Sequence, residues 1–154
     1  MLEIFGYKNI DIKNIVFDYN GTLAKDGQVS SDTKNLLKEI CLKYSVFVIT
    51  ADTFGTVKNE LKEFDLKVKV LSSNDHTKEK MEFLLNLKKE ITVAIGNGNN
   101  DKSMLENATL SIAVMGDEGC SKEAIFASDI ICKDIKSAIE LLLYPKRLIA
   151  TLRR

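Results

Sequence analysis

Residues 15–23 read IVFDYNGTL, and this stretch decides the fold. Its first three residues form a continuous run of β-branched and aromatic side chains, which predicts a short strand buried on both faces. Asp18 ends the run, and Gly21 permits a sharp turn directly after it. We therefore expect the Asp18 carboxylate at the edge of a sheet, held by a rigid element. The simpler alternative is a strand–turn junction in which the aspartate only helps to form the turn.

The same pattern recurs along the rest of the chain. Short apolar runs that predict further strands lie at residues 46–49, 68–71, 93–95, 111–114 and 130–132. Windows with helical periodicity separate them, so the fold class is α/β, with a doubly wound, Rossmann-like parallel sheet covered on both faces. Residues 2–5 and 10–12 predict a short N-terminal hairpin. We expect residues 1–154 to form a single domain, because length and composition suggest no linker or repeat.

Three details of the helices can be predicted from their flanking residues. The Ser-Ser-Asp sequence at 30–32 predicts the start of the first long helix, and Asp134 predicts the start of another. Thr77 is the expected N-cap of the helix that contains Leu84. After Tyr144-Pro145, residues 146–154 are expected to form a short basic end without an obvious role in the core.

Composition excludes several classes of protein. The 154 residues include 22 Lys and Arg against 22 Asp and Glu, so the net charge is zero. This argues against binding to nucleic acid or anionic membranes through a strong overall field. No apolar run approaches the roughly 18 residues of a membrane span. No signal peptide is visible, and the three cysteines form no CxxC pair, so a reducing, cytoplasmic location is expected.

Other polar groups follow the ends of the predicted strands. Thr50 ends one strand and offers a hydroxyl to a phosphoryl group, although it could simply cap the next helix. Residues 96–101 read GNGNND, in which Asn97 and Asp101 offer oxygens to a cation such as Mg²⁺. This loop is neither a Walker loop nor a Rossmann fingerprint, and it could also be an ordinary polar connection. Because ligands bind at the carboxyl ends of parallel strands, we expect these groups to converge.

Taken in order, these segments resemble the motifs of the haloacid dehalogenase-like (HAD) superfamily of phosphotransferases. The resemblance covers about residues 13–143 and is closest to the phosphorylation domain of P-type ATPases and their soluble relatives. Residues 18–22, DYNGT, are similar to the phosphorylation motif DKTGT of the ATPases. Residues 96–101 and the segment that follows are similar to their GDGxND region.

The resemblance implies a Mg²⁺-dependent phosphatase that forms an aspartyl-phosphate on Asp18. It implies that Thr50 binds the phosphoryl group and that Lys78 neutralises its charge. Lys80 is the rival lysine, but the spacing from Lys78 to Asn97 matches the ATPase pattern without a gap. The set implied for the catalytic step is Asp18, Asn20, Thr50 and Lys78. The set implied for phosphate binding is Asn20, Gly21, Thr50, Ala51, Lys78 and Asn100. The set implied for Mg²⁺ is Asp18, the carbonyl of Asn20, Asn97 and Asp101.

Two residues depart from the family pattern. Many HAD phosphatases have an aspartate acid–base where this chain has Asn20, and the family pattern has a metal-binding aspartate where it has Asn97. An amide shuttles no proton, and it binds Mg²⁺ more weakly than a carboxylate does. Slow turnover is therefore expected. A phospho-ligand binding or regulatory module on the same scaffold is the alternative.

The spacing of the motifs also bears on partners. Residues 19–49 and 51–77 are accounted for by predicted helices and strands, so they leave no room for a cap domain. An open site suits a phosphorylated macromolecule, or a small phosphorylated molecule enclosed by another copy of the chain. A homo-oligomer is therefore possible, and no nucleic acid or membrane partner is expected. A third alternative is a subunit with a role in assembly, for which residues 146–154 would supply the contact.

Overall fold

The computed structural model describes all residues, 1–154, and is built around a six-stranded parallel sheet. Its strands lie side by side in the order β5-β4-β3-β6-β7-β8. They comprise β3 (Asn14–Asp18), β4 (Ser45–Thr50), β5 (Leu66–Val70), β6 (Thr92–Gly96), β7 (Leu110–Val114) and β8 (Ile130–Cys132). The chain turns from one half of the sheet to the other between β3 and β6, which pair directly. The predicted doubly wound fold is confirmed, and ligands of such folds bind beside this crossover point.

Helices cover both faces of the sheet. They comprise α1 (Ser31–Cys41), α2 (Thr56–Glu60), α3 (His76–Asn86), α4 (Lys102–Asn107), α5 (Lys122–Ala127), α6 (Ile135–Leu143) and α7 (Pro145–Leu152), with 3₁₀ turns at Lys89–Ile91 and Asn99–Asp101. Ile15 and Phe17 of β3 belong to a large apolar cluster with α1 and α6, whereas Val16 belongs to a smaller cluster with α3, α4 and α5. Both faces of β3 are thus buried, which explains its unbroken apolar sequence. None of these helices is long and apolar enough to cross a membrane.

The helix starts agree only in part with prediction. The side chains of Ser30 and Asp134 cap α1 and α6 as expected. The prediction that Thr77 caps α3 is wrong, because the Asp75 carboxylate accepts the hydrogen bond from the amide of Lys78. The helix therefore begins at His76, so that His76 and Thr77 lie in its first turn.

The two ends of the chain pack together. The expected N-terminal hairpin is present as β1 (Leu2–Glu3) and β2 (Asn9–Ile10), and it is shorter than predicted. The expectation that residues 146–154 have no role in the core is wrong. Pro145 begins α7, Leu148 is fully buried, and the amide of Arg154 donates to the carbonyl of Phe5 at 3.0 Å. Because α7 belongs to the core, the tail gives no reason to expect self-association.

Candidate active site

The carboxyl ends of β3, β4 and β6 meet around one cavity of about 370 Å³. Residues of the three predicted segments line it together, since parallel pairing brings the strand ends to one edge. They are Asp18, Asn20, Thr50, Ala51, Asn97 and Asn100. The remaining lining residues are Leu71, His76, Lys80, Gly98 and Asn99.

Lys80 is the cation of this site. Its Nζ lies 2.7 Å from Oδ1 of Asp18, 2.8 Å from Oδ1 of Asp101 and 2.9 Å from Oδ1 of Asn100. The residue is only 2% exposed, so its ammonium has exchanged water for these three oxygens. Burial alone would lower the pKa of Lys80, but the two carboxylates outweigh it and raise that pKa. Lys80 is therefore charged at neutral pH.

Lys78 does not reach the site, which corrects the preference for Lys78 over Lys80. Its side chain is exposed, and its nearest acidic partner is Glu82 of the same helix at 3.9 Å. Residues two apart on a helix point to different sides, whereas Lys80 shares a face with Leu84, four residues on. Leu84 is fully buried. The apolar periodicity of α3 was thus the signal that could have distinguished the two lysines.

Asp18 lies at the end of the central strand with both carboxylate oxygens in contact. Oδ1 accepts from Lys80, and Oδ2 accepts from the hydroxyl of Thr22 at 3.0 Å. Burial, followed by the nearby charge of Asp101, raises the pKa of Asp18 to about 6, although Lys80 and Thr22 act in the opposite direction. The carboxylate is ionised above that pH and is poorly solvated, as suits a nucleophile.

Asp101 does not line the cavity, and its predicted role as a metal ligand is not supported by its contacts. Its side chain is completely buried. Oδ2 accepts from the backbone amides of Asn97 and Gly98, both at 3.0 Å, while Oδ1 accepts from Lys80. A Cβ atom on Gly96 would lie 2.6 Å from Cγ of Asp101, so glycine is required for this close packing. Asp101 holds the loop and the lysine in place.

Three oxygen groups remain that could hold a divalent cation. Oδ2 of Asp18 and Oδ1 of Asn97 lie 3.0 Å and 3.1 Å from the hydroxyl of Thr22, so they converge on one region. The backbone carbonyl of Asn20 accepts no hydrogen bond. Mg²⁺ prefers such oxygen ligands and is usually bound through one or two carboxylates together with waters and phosphate. The residues therefore fit Mg²⁺, with a single carboxylate; no group of three His, Cys, Asp or Glu residues is present.

The predicted phosphate-binding residues fall into two groups. The hydroxyl of Thr50 accepts from the amide of Asp52 at 3.1 Å, which leaves its own proton free to donate to a ligand. Gly21, in contrast, lines an adjoining cavity, and its amide already donates to the carbonyl of Ala24. With φ of +78°, it allows the tight turn that brings Thr22 back toward Asp18. Thr22 was not predicted, although it stands in the quoted motif.

Comparison with known proteins finds several similar sequences and structures. The family model of haloacid dehalogenase-like hydrolases matches residues 75–137. An uncharacterized protein of Methanocaldococcus jannaschii is 51% identical over 78 residues, which are 48% of this chain and 84% of that protein. A soluble P-type ATPase-like phosphatase of the same organism is 24% identical over 123 residues, 78% of this chain and 45% of that protein.

A solved structure shows the same fold over nearly the whole chain. It is a 3-deoxy-D-manno-octulosonate 8-phosphate phosphatase from Moraxella catarrhalis in complex with a magnesium ion, a phosphate ion and a KDO molecule. The TM-score is 0.68 at 21% identity, covering 92% of this chain and 94% of that one. The protein belongs to the haloacid dehalogenase-like superfamily of hydrolases. Within it, the chain is similar over 123 residues to one soluble P-type ATPase-like phosphatase.

Proposed function

We propose that the protein is a Mg²⁺-dependent phosphatase in which Asp18 becomes transiently phosphorylated. One observation carries the proposal: the carboxylate of Asp18 ends the central strand, lines the cavity, and is paired with a buried ammonium at 2.7 Å. In this arrangement Lys80 offsets the charge of an incoming phosphoryl group. Thr50 donates its free proton to a phosphoryl oxygen.

The chemistry divides into two steps. An Asp18 oxygen attacks phosphorus while the bond from phosphorus to the leaving oxygen breaks, which gives an acyl phosphate. Water then attacks the same phosphorus, releasing inorganic phosphate and the free carboxylate. Asp18, Asn97 and the carbonyl of Asn20 would hold Mg²⁺, which supplies charge neutralisation for the phosphoryl oxygens. Lys80 remains protonated throughout, because its Nζ lies 2.7 Å from Oδ1 of Asp18 and 2.8 Å from Oδ1 of Asp101, and these carboxylates raise its pKa.

The substrate is a phosphate monoester, and the cavity accepts either a small molecule or a side chain of a protein. Between Asp18 and Thr50 the chain forms only a tight loop, α1 and β4, and between Thr50 and Lys80 only α2, β5 and the start of α3. No inserted domain covers the cavity. The solved phosphatase with the same fold acts on a phosphorylated sugar, which supports a small substrate.

All three cysteines are free thiols, which suits a cytoplasmic location.

A second function is favoured by the two asparagines in the cavity. Asn20 and Asn97 leave Asp18 as the only carboxylate that faces a phosphate and its cation. A site with weak metal affinity could bind a phosphorylated ligand without turning it over. The two functions differ in whether phosphate is released.

Hydrolysis of 4-nitrophenyl phosphate with Mg²⁺, compared with the same assay in EDTA, tests the proposal. We expect hydrolysis by the wild type with Mg²⁺ and none by Asp18→Asn, because an amide forms no acyl phosphate. Asp32→Asn, an exposed aspartate on α1, is the matched control and should retain the rate. Equal rates for Asp18→Asn and wild type would overturn the proposal. Binding of inorganic phosphate without hydrolysis would favour the second function.

A further inference from the structure

The cavity that contains Asp18 is lined by only three side chains that gain or lose a proton readily: Asp18, His76 and Lys80. The other lining residues carry amide, hydroxyl or aliphatic groups, or no side chain at all. Asp18 and Lys80 are engaged with each other at 2.7 Å, and the proposed mechanism keeps Lys80 protonated. Neither can therefore carry a proton between the leaving group and water.

His76 is placed to do so. It is the first residue of α3 and precedes Lys80 by one helical turn, so the two side chains share a face of the helix. Both line the same cavity. Its ring is half-buried and makes no hydrogen bond within the protein. The neighbouring Glu79 faces away from the cavity, because its carboxylate accepts from the amides of Ser72 and Ser73.

We infer that His76 is the general acid and base of the reaction, an assignment that rests on the proposed phosphatase function. In the first step an oxygen of Asp18 bonds to phosphorus while the bond from phosphorus to the leaving oxygen breaks. The imidazolium donates its proton to that leaving oxygen. The leaving group departs as a neutral alcohol. In the second step the neutral imidazole takes a proton from the water that attacks the acyl phosphate. Phosphate and the Asp18 carboxylate are released, and the imidazolium is restored.

This role has a signature that a purely structural role lacks. A general acid matters most when the leaving oxygen is strongly basic, and little when the leaving group is stable as an anion. 4-Nitrophenyl phosphate and phenyl phosphate have nearly the same shape but differ in this respect, since phenoxide is much more basic than 4-nitrophenoxide. A change that only disturbs binding or folding affects both substrates alike.

The experiment measures kcat/KM for both substrates in wild type, His76→Gln and Glu82→Gln. Glu82→Gln is the matched control on the same helix, where the side chain is exposed and forms a long ion pair with Lys78. A positioned acid–base group contributes about 10²–10⁴-fold, so we expect His76→Gln to lose at least about 10²-fold on phenyl phosphate and only a few-fold on 4-nitrophenyl phosphate. Thermal unfolding establishes that each variant is folded.

The outcomes separate the two proposals. If wild-type hydrolysis requires Asp18 but His76→Gln loses equally on both substrates, or loses nothing, the role of His76 is wrong while the phosphatase function stands. If the wild type hydrolyses neither substrate, or if Asp18→Asn hydrolyses both, the proposed function fails and the role of His76 fails with it. A selective loss on phenyl phosphate supports both.

Discussion

The ammonium of Lys80 and the carboxylate of Asp101 form an ion pair at 2.8 Å, with 3% and 0% of the two side chains exposed. The same ammonium lies 2.7 Å from Asp18. One cation thus serves two carboxylates inside the protein, and the ionised trio carries a net negative charge. Asp101 is held by two backbone amides as well, whereas Asp18 faces the cavity. The arrangement fixes the lysine in place, and the carboxylate of Asp18 is the one of the two that faces the cavity.

Removal of Lys80 should be costly. In Lys80→Met, two buried carboxylates lose their only counter-ion, and breaking a buried ion pair by removing one partner destabilises a protein by about 3–5 kcal/mol. Phosphatase activity should also be lost. Lys78→Met should change the free energy of unfolding by no more than about 0.5 kcal/mol, because Lys78 is exposed. Urea unfolding of both variants measures this contrast, and similar losses would contradict the placement of Lys80.

Asp101→Asn distinguishes a positioning residue from a metal ligand. We expect a loss of about 1–3 kcal/mol in the free energy of unfolding, because a buried ionic network loses its best acceptor. Burial and, after it, the charge of Asp101 raise the pKa of Asp18, so loss of that charge should move the acid limb of the pH–rate profile to lower pH. The Mg²⁺ concentration for half-maximal activity should not change. A large increase in that concentration would show that Asp101 binds the metal.

The raised pKa of Asp18 predicts opposite effects of pH on activity and stability. The pKa of Asp18 is about 6 in the folded protein, against an ordinary value of 3.8 for an aspartate side chain, so the folded state holds the proton more tightly. As pH rises from about 4 to 6, this residue should lower the stability, because a buried carboxylate becomes charged. The reaction rate should rise over the same interval as the nucleophile ionises.

The measurement is the difference in urea midpoint between wild type and Asp18→Asn at several pH values. The difference isolates Asp18 from other groups such as Glu79, whose pKa of about 2 gives the opposite dependence. The advantage of wild type over the variant should shrink as pH rises through the interval. A growing advantage would show that the folded protein stabilises the charged form of Asp18.

Asn97→Asp tests the cation site. A second carboxylate beside Asp18 should lower the Mg²⁺ concentration for half-maximal activity, because Mg²⁺ prefers anionic oxygens. Without metal the variant should be less stable than wild type, since like charges repel and the hydrogen bond from Nδ2 of Asn97 to the carbonyl of Gly119 is lost. Added Mg²⁺ should restore stability. Thermal unfolding with EDTA and with Mg²⁺ measures this, and an unchanged response to Mg²⁺ would argue against the site.

Leu148→Ala tests the role of the C-terminal helix. A fully buried leucine replaced by alanine costs about 2–5 kcal/mol, and urea unfolding should show a loss in this range. Thr151→Ala, an exposed position on the same helix, is the control. If α7 instead served only as a contact between copies, light scattering would show a change in mass for Leu148→Ala while the monomer kept its stability.

The sequence alone predicted the strands of the sheet correctly, but it did not identify which lysine lies in the site. Continuous apolar runs such as 15–17 and 93–95 predict strands reliably, because both faces of a central strand are buried. The ends of these runs also place Asp18 and Gly96 at the ends of strands. The choice between Lys78 and Lys80 depends on the phase of α3 relative to the sheet. The spacing between motifs does not reveal which face of α3 packs against the sheet. The apolar residue Leu84, four residues after Lys80, does reveal it.

The buried orientation of the Asp101 side chain could not be predicted for a different reason. An asparagine or aspartate in such a loop suggests a ligand of a cation. Whether its oxygens face a cavity or backbone amides depends on how closely the loop packs. Here Gly96 permits the packing that buries the carboxylate. The core role of Leu148 was also unpredictable locally, since it depends on how α7 packs against α6 and β1.

The hydrogen bonds of two glycine amides bear on the chemical durability of the site. Asn20-Gly21 and Asn97-Gly98 are the dipeptides most prone to deamidation, in which the glycine nitrogen attacks the asparagine side chain. In the folded protein both nitrogens are engaged, Gly21 with the carbonyl of Ala24 and Gly98 with the carboxylate of Asp101. Folding therefore protects both asparagines from deamidation, and prolonged heating that unfolds the protein removes this protection. A heat-treated sample would gradually acquire acidic residues at the two cavity positions where the gene encodes amides.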